Sequence, residues 1–400
     1  LPSPEAVENI VGGGQDDTLI GNDAANLLVG NDGNDTLEGG LGDDLLAGGS
    51  GSDVLRGGGD DDVYAINADA AVLEHDVIED VGGVADAIDF SSTSINAVSI
   101  DLSDPAQQVI SAGLELTLTD GMSIEVVVGG AQDDSIVGND LNNVLLGGLG
   151  DDILIGGDGM DTLVGESGAD TLDGGSGGDI ISGGAGDDQV IGGEGDDELN
   201  GGSDDDTYLF DTDTQLGVDA IIEEDENNTL DFSATTTLGI MLDASDPTPQ
   251  SLNTNLVLEL MQANVVTTVV GSAVADVITG NDLDNFLDGL DGNDVIVGLA
   301  GDDAIVGGAG DDTLDGGSGD DTYLFDADVP LGSDTIDESQ GGIDHLDFSL
   351  TTSQGIVLDL SNPNTQLLNA NVTLTLQANG TLENVTGGGG DDNVFGNDLD

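Results

Sequence analysis

Between Gly129 and Leu209 the chain repeats itself every nine residues, in nine consecutive blocks: GGAQDDSIV, GNDLNNVLL, GGLGDDILI, GGDGMDTLV, GESGADTLD, GGSGGDIIS, GGAGDDQVI, GGEGDDELN and GGSDDDTYL. A fixed short period constrains the fold more than any propensity does, because every copy must adopt one conformation and bury its apolar residue against its neighbours. The shared pattern is G-G-x-G-x-D-x-U-x, with U large and apolar. Position eight holds Ile136, Leu145, Leu154, Leu163, Leu172, Ile181, Val190, Leu199 and Tyr208, so one large side chain per block points to a common interior. Positions seven to nine read as a very short strand.

Strands this short, separated by turns rich in Gly and Asp, cannot bury a face alone. Stacked copies make two thin parallel sheets joined by loops, with a strip of aliphatics between them, at about eighteen residues per coil. The expected fold is all-β: parallel β-roll runs alternating with homologous β-strand-rich modules, and elongated. Glycines at positions one, two and four permit positive φ and close approach of neighbouring backbones. The position-six aspartates then stack in a column at about the 4.8 Å strand spacing.

Such a column repels itself unless something positive lies between its layers. Calcium suits it, as a hard cation taking oxygens from carboxylates and from the backbone carbonyls that Gly-rich loops expose. The candidate metal ligands of the first run, residues 12–65, are Asp17, Asp35, Asp44, Asp53 and Asp62. Those of the second, 129–209, are Asp134, Asp152, Asp161, Asp170, Asp179, Asp188, Asp197 and Asp206. A third run, 271–324, contributes Asp276, Asp294, Asp303, Asp312 and Asp321, and a fourth begins within 387–400 with Asp392. In the second block of each complete run an amide (Asn26, Asn143, Asn285) replaces the acid, so those sites are expected to be the loosest or to carry no calcium.

The nonapeptide resembles that of the RTX (repeats-in-toxin) family, as found in large secreted adhesins and fibre-like surface proteins. The resemblance implies calcium held between loops two blocks apart, which for runs of these lengths means roughly 15 ions. It also implies an extracellular or cell-surface location reached by type I secretion.

Charge agrees with a fold conditional on cations. The chain carries 83 acids against one basic residue, Arg56, for a net charge of −82, with 2% aromatics and no cysteine. That balance lies near the boundary of intrinsic disorder, and without disulfides metal is the remaining staple. It argues against nucleic acid and anionic membranes as partners. No apolar run reaches the length of a membrane span.

Between the runs, segments 66–128, 210–270 and 325–386 are copies of one another. Each contains Asp-Phe-Ser, an alternating strand, a Ser-Asp/Asn-Pro turn and a second alternating strand, such as LELTLT at 114–119. Residues 1–11 read as the end of a preceding module. Each complete run ends on a tyrosine (Tyr64, Tyr208, Tyr323), expected to cap the core. The start at Leu1 and the run opened at Gly387 suggest a slice of a longer array, continued head to tail or self-associated into a filament.

Catalysis finds little footing. Residues 174–178 satisfy G-x-S-x-G but lie inside a nonapeptide, without the strand, helix and histidine that a nucleophile elbow needs. His75 and His345 read as ordinary surface or edge residues. The Asp-Pro bonds at 104–105 and 246–247 resemble those cut in some self-processing RTX modules, but the third copy has Asn362 before Pro363, which favours a plain turn. The expectation is a non-enzymatic, calcium-binding structural segment of a secreted bacterial fibre, surface layer or giant adhesin. The alternative is the calcium-binding module of a secreted protease, lipase or polysaccharide epimerase whose catalytic domain lies elsewhere. In its favour, residues 334–349 look like the segment that follows the roll in serralysin-like proteases.

Overall fold

The computed structural model describes residues 8–119, 124–223, 227–338, 340–377 and 382–397. Segment 1–11 is therefore described only from Glu8, and segment 387–400 only to Asn397. Every regular element among these residues is a β-strand. The chain forms two compact units, Leu1–Ser203 and Asp204–Asp400.

In the first unit, strands of consecutive blocks fall on opposite sheets, and those of alternate blocks pair in parallel within one sheet. Leu27–Asp32 pairs with Leu45–Ser50, and Thr36–Leu41 with Val54–Gly59, each in an eighteen-residue register such as Leu37 opposite Leu55. The long run repeats this from Val144–Leu149 to Glu198–Ser203. Position eight fills the interior throughout: Leu28, Leu37, Leu46, Leu145, Leu154, Leu163 and Leu172 have no exposed surface.

The strands are longer than the sequence suggests. Interior ones run six residues, from position seven of one block through position three of the next, as in Thr162–Ser167. The cause lies in the position-one glycine, which continues the strand instead of turning. Positive φ within the blocks is confined to positions two and four, as at Gly175 (94°) and Gly177 (149°). Position one must be glycine because of crowding: a Cβ on Gly30 would lie 2.2 Å from Asp35 Oδ2 and 2.4 Å from the Gly48 carbonyl. At position two, Asn31, Glu166, Leu290 and Leu299 adopt φ of 66–86° without being glycine, each a point of local strain.

The segments between runs do not leave these sheets. Glu74–Ile78 pairs in parallel with Val54–Gly59 on one side and Leu114–Leu118 on the other. Ala87–Asp89 lies between Val63–Ala65 and Val126–Val128 in the opposite sheet. A short antiparallel strand, Gln108–Val109, then closes the first of these sheets against Leu114–Leu118, while Ser99–Asp101 opens a new one with Ser135–Val137. The division into runs and modules is thus one of sequence period, with a continuous core passing Leu55, Tyr64, Ile78, Ile88 and Val127.

The second unit repeats the plan. Thr322–Leu324 pairs with Asp344–Asp347, and Thr313–Ser318 with Gly332–Ile336, which in turn pairs with Val372–Leu376. Gln250–Ser251 and Gln366–Leu367 are its antiparallel closing strands. The Asp-Phe-Ser copies bury Phe90, Phe232 and Phe348 completely, while Asp89, Asp231 and Asp347 each accept the serine N–H two residues on. Asp104, Asp246 and Asn362, each before a proline, also accept an N–H two residues on, from Ala106, Thr248 and Asn364.

Two neighbouring glycines separate conformational need from mere composition. A Cβ on Gly177 would sit 1.3 Å from the Gly159 carbonyl at φ 149°, whereas one on Gly178 meets only the Asp196 carbonyl at 3.2 Å. Gly177→Ala is expected to destabilise the calcium-loaded chain by ~2 kcal/mol or more and Gly178→Ala by under ~1 kcal/mol in denaturant titrations. Equal losses would contradict the backbone argument.

Candidate metal centre: a ladder of buried aspartates

The turn at positions four and five delivers the position-six aspartate to the edge of the core just before its strand begins. There its N–H has no sheet partner, and the aspartate one coil further on supplies the acceptor. In the first run Asp17 N–H donates to Asp35 Oδ1, Asp35 to Asp53, and Asp53 to Asp76, at 2.7–2.9 Å. The opposite column runs Asn26, Asp44, Asp62 and Asp86, also at 2.7–2.9 Å. The same ladders link Asp134, Asp152, Asp170 and Asp188, and Asn143, Asp161, Asp179 and Asp197. In the second unit they link Asp276, Asp294, Asp312 and Asp334, and Asn285, Asp303, Asp321 and Asp344. Asp206 is buried like the rest and donates to Asn228 Oδ1.

One oxygen of each carboxylate is therefore taken. The other, Oδ2, is buried without a hydrogen-bond partner in Asp35, Asp44, Asp53, Asp62, Asp152, Asp161, Asp170, Asp179, Asp294, Asp303, Asp312 and Asp321. These oxygens face the same crowded space as the glycine carbonyls, as at Gly30, Gly156 and Gly298. The first block of each run differs: Oδ2 of Asp17, Asp134 and Asp276 accepts the N–H of Gly13, Gly130 and Ser272 at 2.5–2.6 Å. Asp17 is only half-buried, and Asp392 is exposed, its Oδ1 accepting the Ile356 N–H. The amide oxygens of Asn26, Asn143 and Asn285 are likewise engaged inside their own blocks, by the N–H of Asn22, Asn139 and Asn281.

Burial dominates the electrostatics. It pushes the carboxyls of Asp62, Asp152, Asp294 and Asp303 up to about 7, and those of Asp53, Asp161 and Asp197 up to about 6. The backbone N–H bond opposes the shift, and neighbouring carboxylates reinforce it. The single arginine offers no relief, because Arg56 pairs with Glu38 and Glu79. A dense set of buried, partnerless carboxylate oxygens beside backbone carbonyls, with no soft donor and no cationic side chain, fits a hard divalent cation of calcium's kind.

Sequence reading missed the continuation of the ladder beyond the runs. Asp76, Asp86, Asp334 and Asp344 carry it on, and Asp86 and Asp344 donate in turn to Glu125 and Glu383. The signal was the D-x-U half of the template surviving where its glycine half is lost, as in Asp76-Val77-Ile78 and Asp344-His345-Leu346. The tyrosines hold more than an apolar cap. Tyr64, Tyr208 and Tyr323 are fully buried, and their hydroxyls donate to Asp80, Glu223 and Glu338. His75 and His345 bond Thr117 and Thr386 through Nε2.

Stacked aspartates on a parallel roll of nine-residue half-coils define a calcium-binding repeat protein. The family model for the RTX calcium-binding nonapeptide repeat matches residues 7–37, 38–65, 121–154, 137–172, 173–208, 270–305 and 288–323, together half of the chain. The chain belongs to that family. Comparison with curated proteins finds no match. Among the described residues, no helix is long and apolar enough to cross a membrane.

Two outcomes test the site. The buried aspartates bind their protons more tightly folded than unfolded, so the stability they give the metal-free roll is present below about pH 4 and is lost as pH rises through 6 to 7. In chelator, far-UV circular dichroism should show more β-structure at pH 5 than at pH 8; equal β-structure at the two would refute the burial of the column. Separately, Asp161→Ala removes a partnerless buried oxygen whereas Asn143→Ala removes one already engaged. The first should lower calcium affinity more in titrations of the two variants, and equal losses would show the register to be irrelevant.

Proposed function

We propose that the chain is a calcium-stiffened, non-catalytic structural segment of a secreted bacterial fibre, surface layer or giant adhesin, exported by type I secretion and folding on calcium outside the cell. The observation that carries this reading is the aspartate ladder, which each unit continues from the nonapeptides into the intervening segments. A roll that serves only as an enzyme's tail has no need of three copies of run plus module. Roughly 15 ions, one between loops two blocks apart, would offset about 30 charges. Continuation head to tail, within one chain or between chains, would give the array its length.

The test is folding against calcium. Far-UV circular dichroism is expected to be largely disordered in chelator at neutral pH and β-rich with calcium, with half-saturation at about 10⁻⁴ to 10⁻³ M. Magnesium should substitute poorly, because it prefers small octahedral sites and retains its waters. Negative-stain microscopy in calcium should show rods or filaments; compact globules would remove the fibre, and a β signal indifferent to chelator would remove calcium-driven folding.

A further inference from the structure

Where the first run gives way to the wider coil, two acids that the nonapeptide does not account for converge on one that it does. Asp62 comes from the last block, Asp80 and Asp86 from the segment after it, and one oxygen of each lies within 4.8 Å of the others. Asp321, Glu338 and Asp344 repeat the arrangement at the end of the third run. Asp80, Asp86, Glu338 and Asp344 lie outside every stretch that the nonapeptide model matches.

Both groups are built into the core. Asp62, Asp86, Asp321 and Asp344 have no exposed surface, and Asp80 and Glu338 retain 2% and 1%. Every member has an oxygen with no hydrogen-bond partner: Oδ2 of Asp62, Asp80, Asp86, Asp321 and Asp344, and Oε1 of Glu338. The remaining oxygens are fixed. The Asp62 and Asp321 N–H groups hold Oδ1 of Asp86 and Asp344, and the hydroxyls of Tyr64 and Tyr323 hold Asp80 and Glu338. Backbone oxygen shares the space: a Cβ on Gly83 would lie 2.2 Å from Asp86 Oδ2 and 2.7 Å from the Asp60 carbonyl. Three buried carboxylates this close repel strongly without a cation between them.

We propose that each group is a divalent-cation site of the calcium class, additional to the nonapeptide loops, that fastens the wider coil to the end of the run. The donors are oxygens only, which suits a hard cation. The tyrosine acts as a positioning residue, turning the second acid inward. The middle run is a natural contrast: Tyr208 bonds Glu223 in the same way, but the residue accepting the Asp206 N–H is Asn228, an amide in place of Asp86 or Asp344. That position should bind more weakly or not at all.

The proposal rests on the chain's calcium binding, and the experiment separates the two. Calcium bound by the full chain is counted by equilibrium dialysis with elemental analysis, for the wild type, Asp80→Asn/Asp86→Asn and Glu338→Gln/Asp344→Asn. Each double variant should lose one ion while keeping its calcium-induced β signal; an unchanged count overturns the clusters alone. Wild type that takes up no calcium overturns both readings. Two readouts stand if a double variant fails to fold. Asn228→Asp, which completes the middle triad, should gain one ion, and an unchanged count speaks against the proposal. Wild-type crystals loaded with terbium should show anomalous density between Asp62, Asp80 and Asp86 and between Asp321, Glu338 and Asp344. Density confined to the nonapeptide loops would overturn it.

Discussion

The structure depends on one hydrogen bond, from the N–H of a position-six residue to the side-chain oxygen of its counterpart one coil on. It satisfies a backbone donor that lies inside the core but precedes the sheet, and that would otherwise be buried unpaired. An amide does this equally well, as Asn228 does for Asp206. The ladder alone therefore gives no reason for aspartate over asparagine. What aspartate adds is a second, charged oxygen with nothing in the protein to face, and interior blocks choose it consistently while each run's second block does not.

Most of the core was legible because the period fixes it. Every position-eight residue of the three runs is buried, Leu19 at the open edge being the most exposed at 7%. The strand length was not, since a glycine that extends and a glycine that turns look alike in sequence. Only the neighbouring coil distinguishes them: Gly39 is crowded by Asp44 and the Gly57 carbonyl, while Gly40 takes positive φ over the Asn22 carbonyl. The tyrosines were legible as apolar volume, but their hydroxyl partners lie fifteen or sixteen residues downstream, outside the nine-residue register.

The intervening segments hid their acids for a related reason. In a nonapeptide the glycine turn and the D-x-U strand stand at fixed separation, so the aspartate announces itself. In the wider coils the ladder step lengthens from 18 residues to 22–24, and the glycine turn moves or disappears. Sheet pairing tolerates this because it reads only the strand, while longer turns bulge outward at modest entropic cost. Register is kept by the inward aliphatic, Ile78 opposite Leu55 and Ile88 opposite Tyr64. The antiparallel strands Gln108–Val109, Gln250–Ser251 and Gln366–Leu367 each close one sheet edge where the pattern resets, which removes an unpaired parallel edge.

Stacking carboxylates inside a core makes the fold conditional. Each coil added to the column buries further oxygens beside those already there, so aliphatic burial and charge repulsion grow together along the run. Burial disfavours the charged form and neighbouring carboxylates reinforce the effect, which moves these groups toward neutrality, but a protonated column is available only in acid. The chain holds one arginine, and its partners Glu38 and Glu79 lie outside the column. At neutral pH the neutralising charge must come from solution, and it must accept several fixed oxygen ligands at once, carboxylate and carbonyl together. Monovalent ions carry too little charge to hold two coils, and magnesium is too small for so crowded a set. The fitness of the roll for calcium thus follows from the same geometry that makes it: a strand pairing that repeats every eighteen residues and leaves one carboxylate oxygen per interior turn with no other partner.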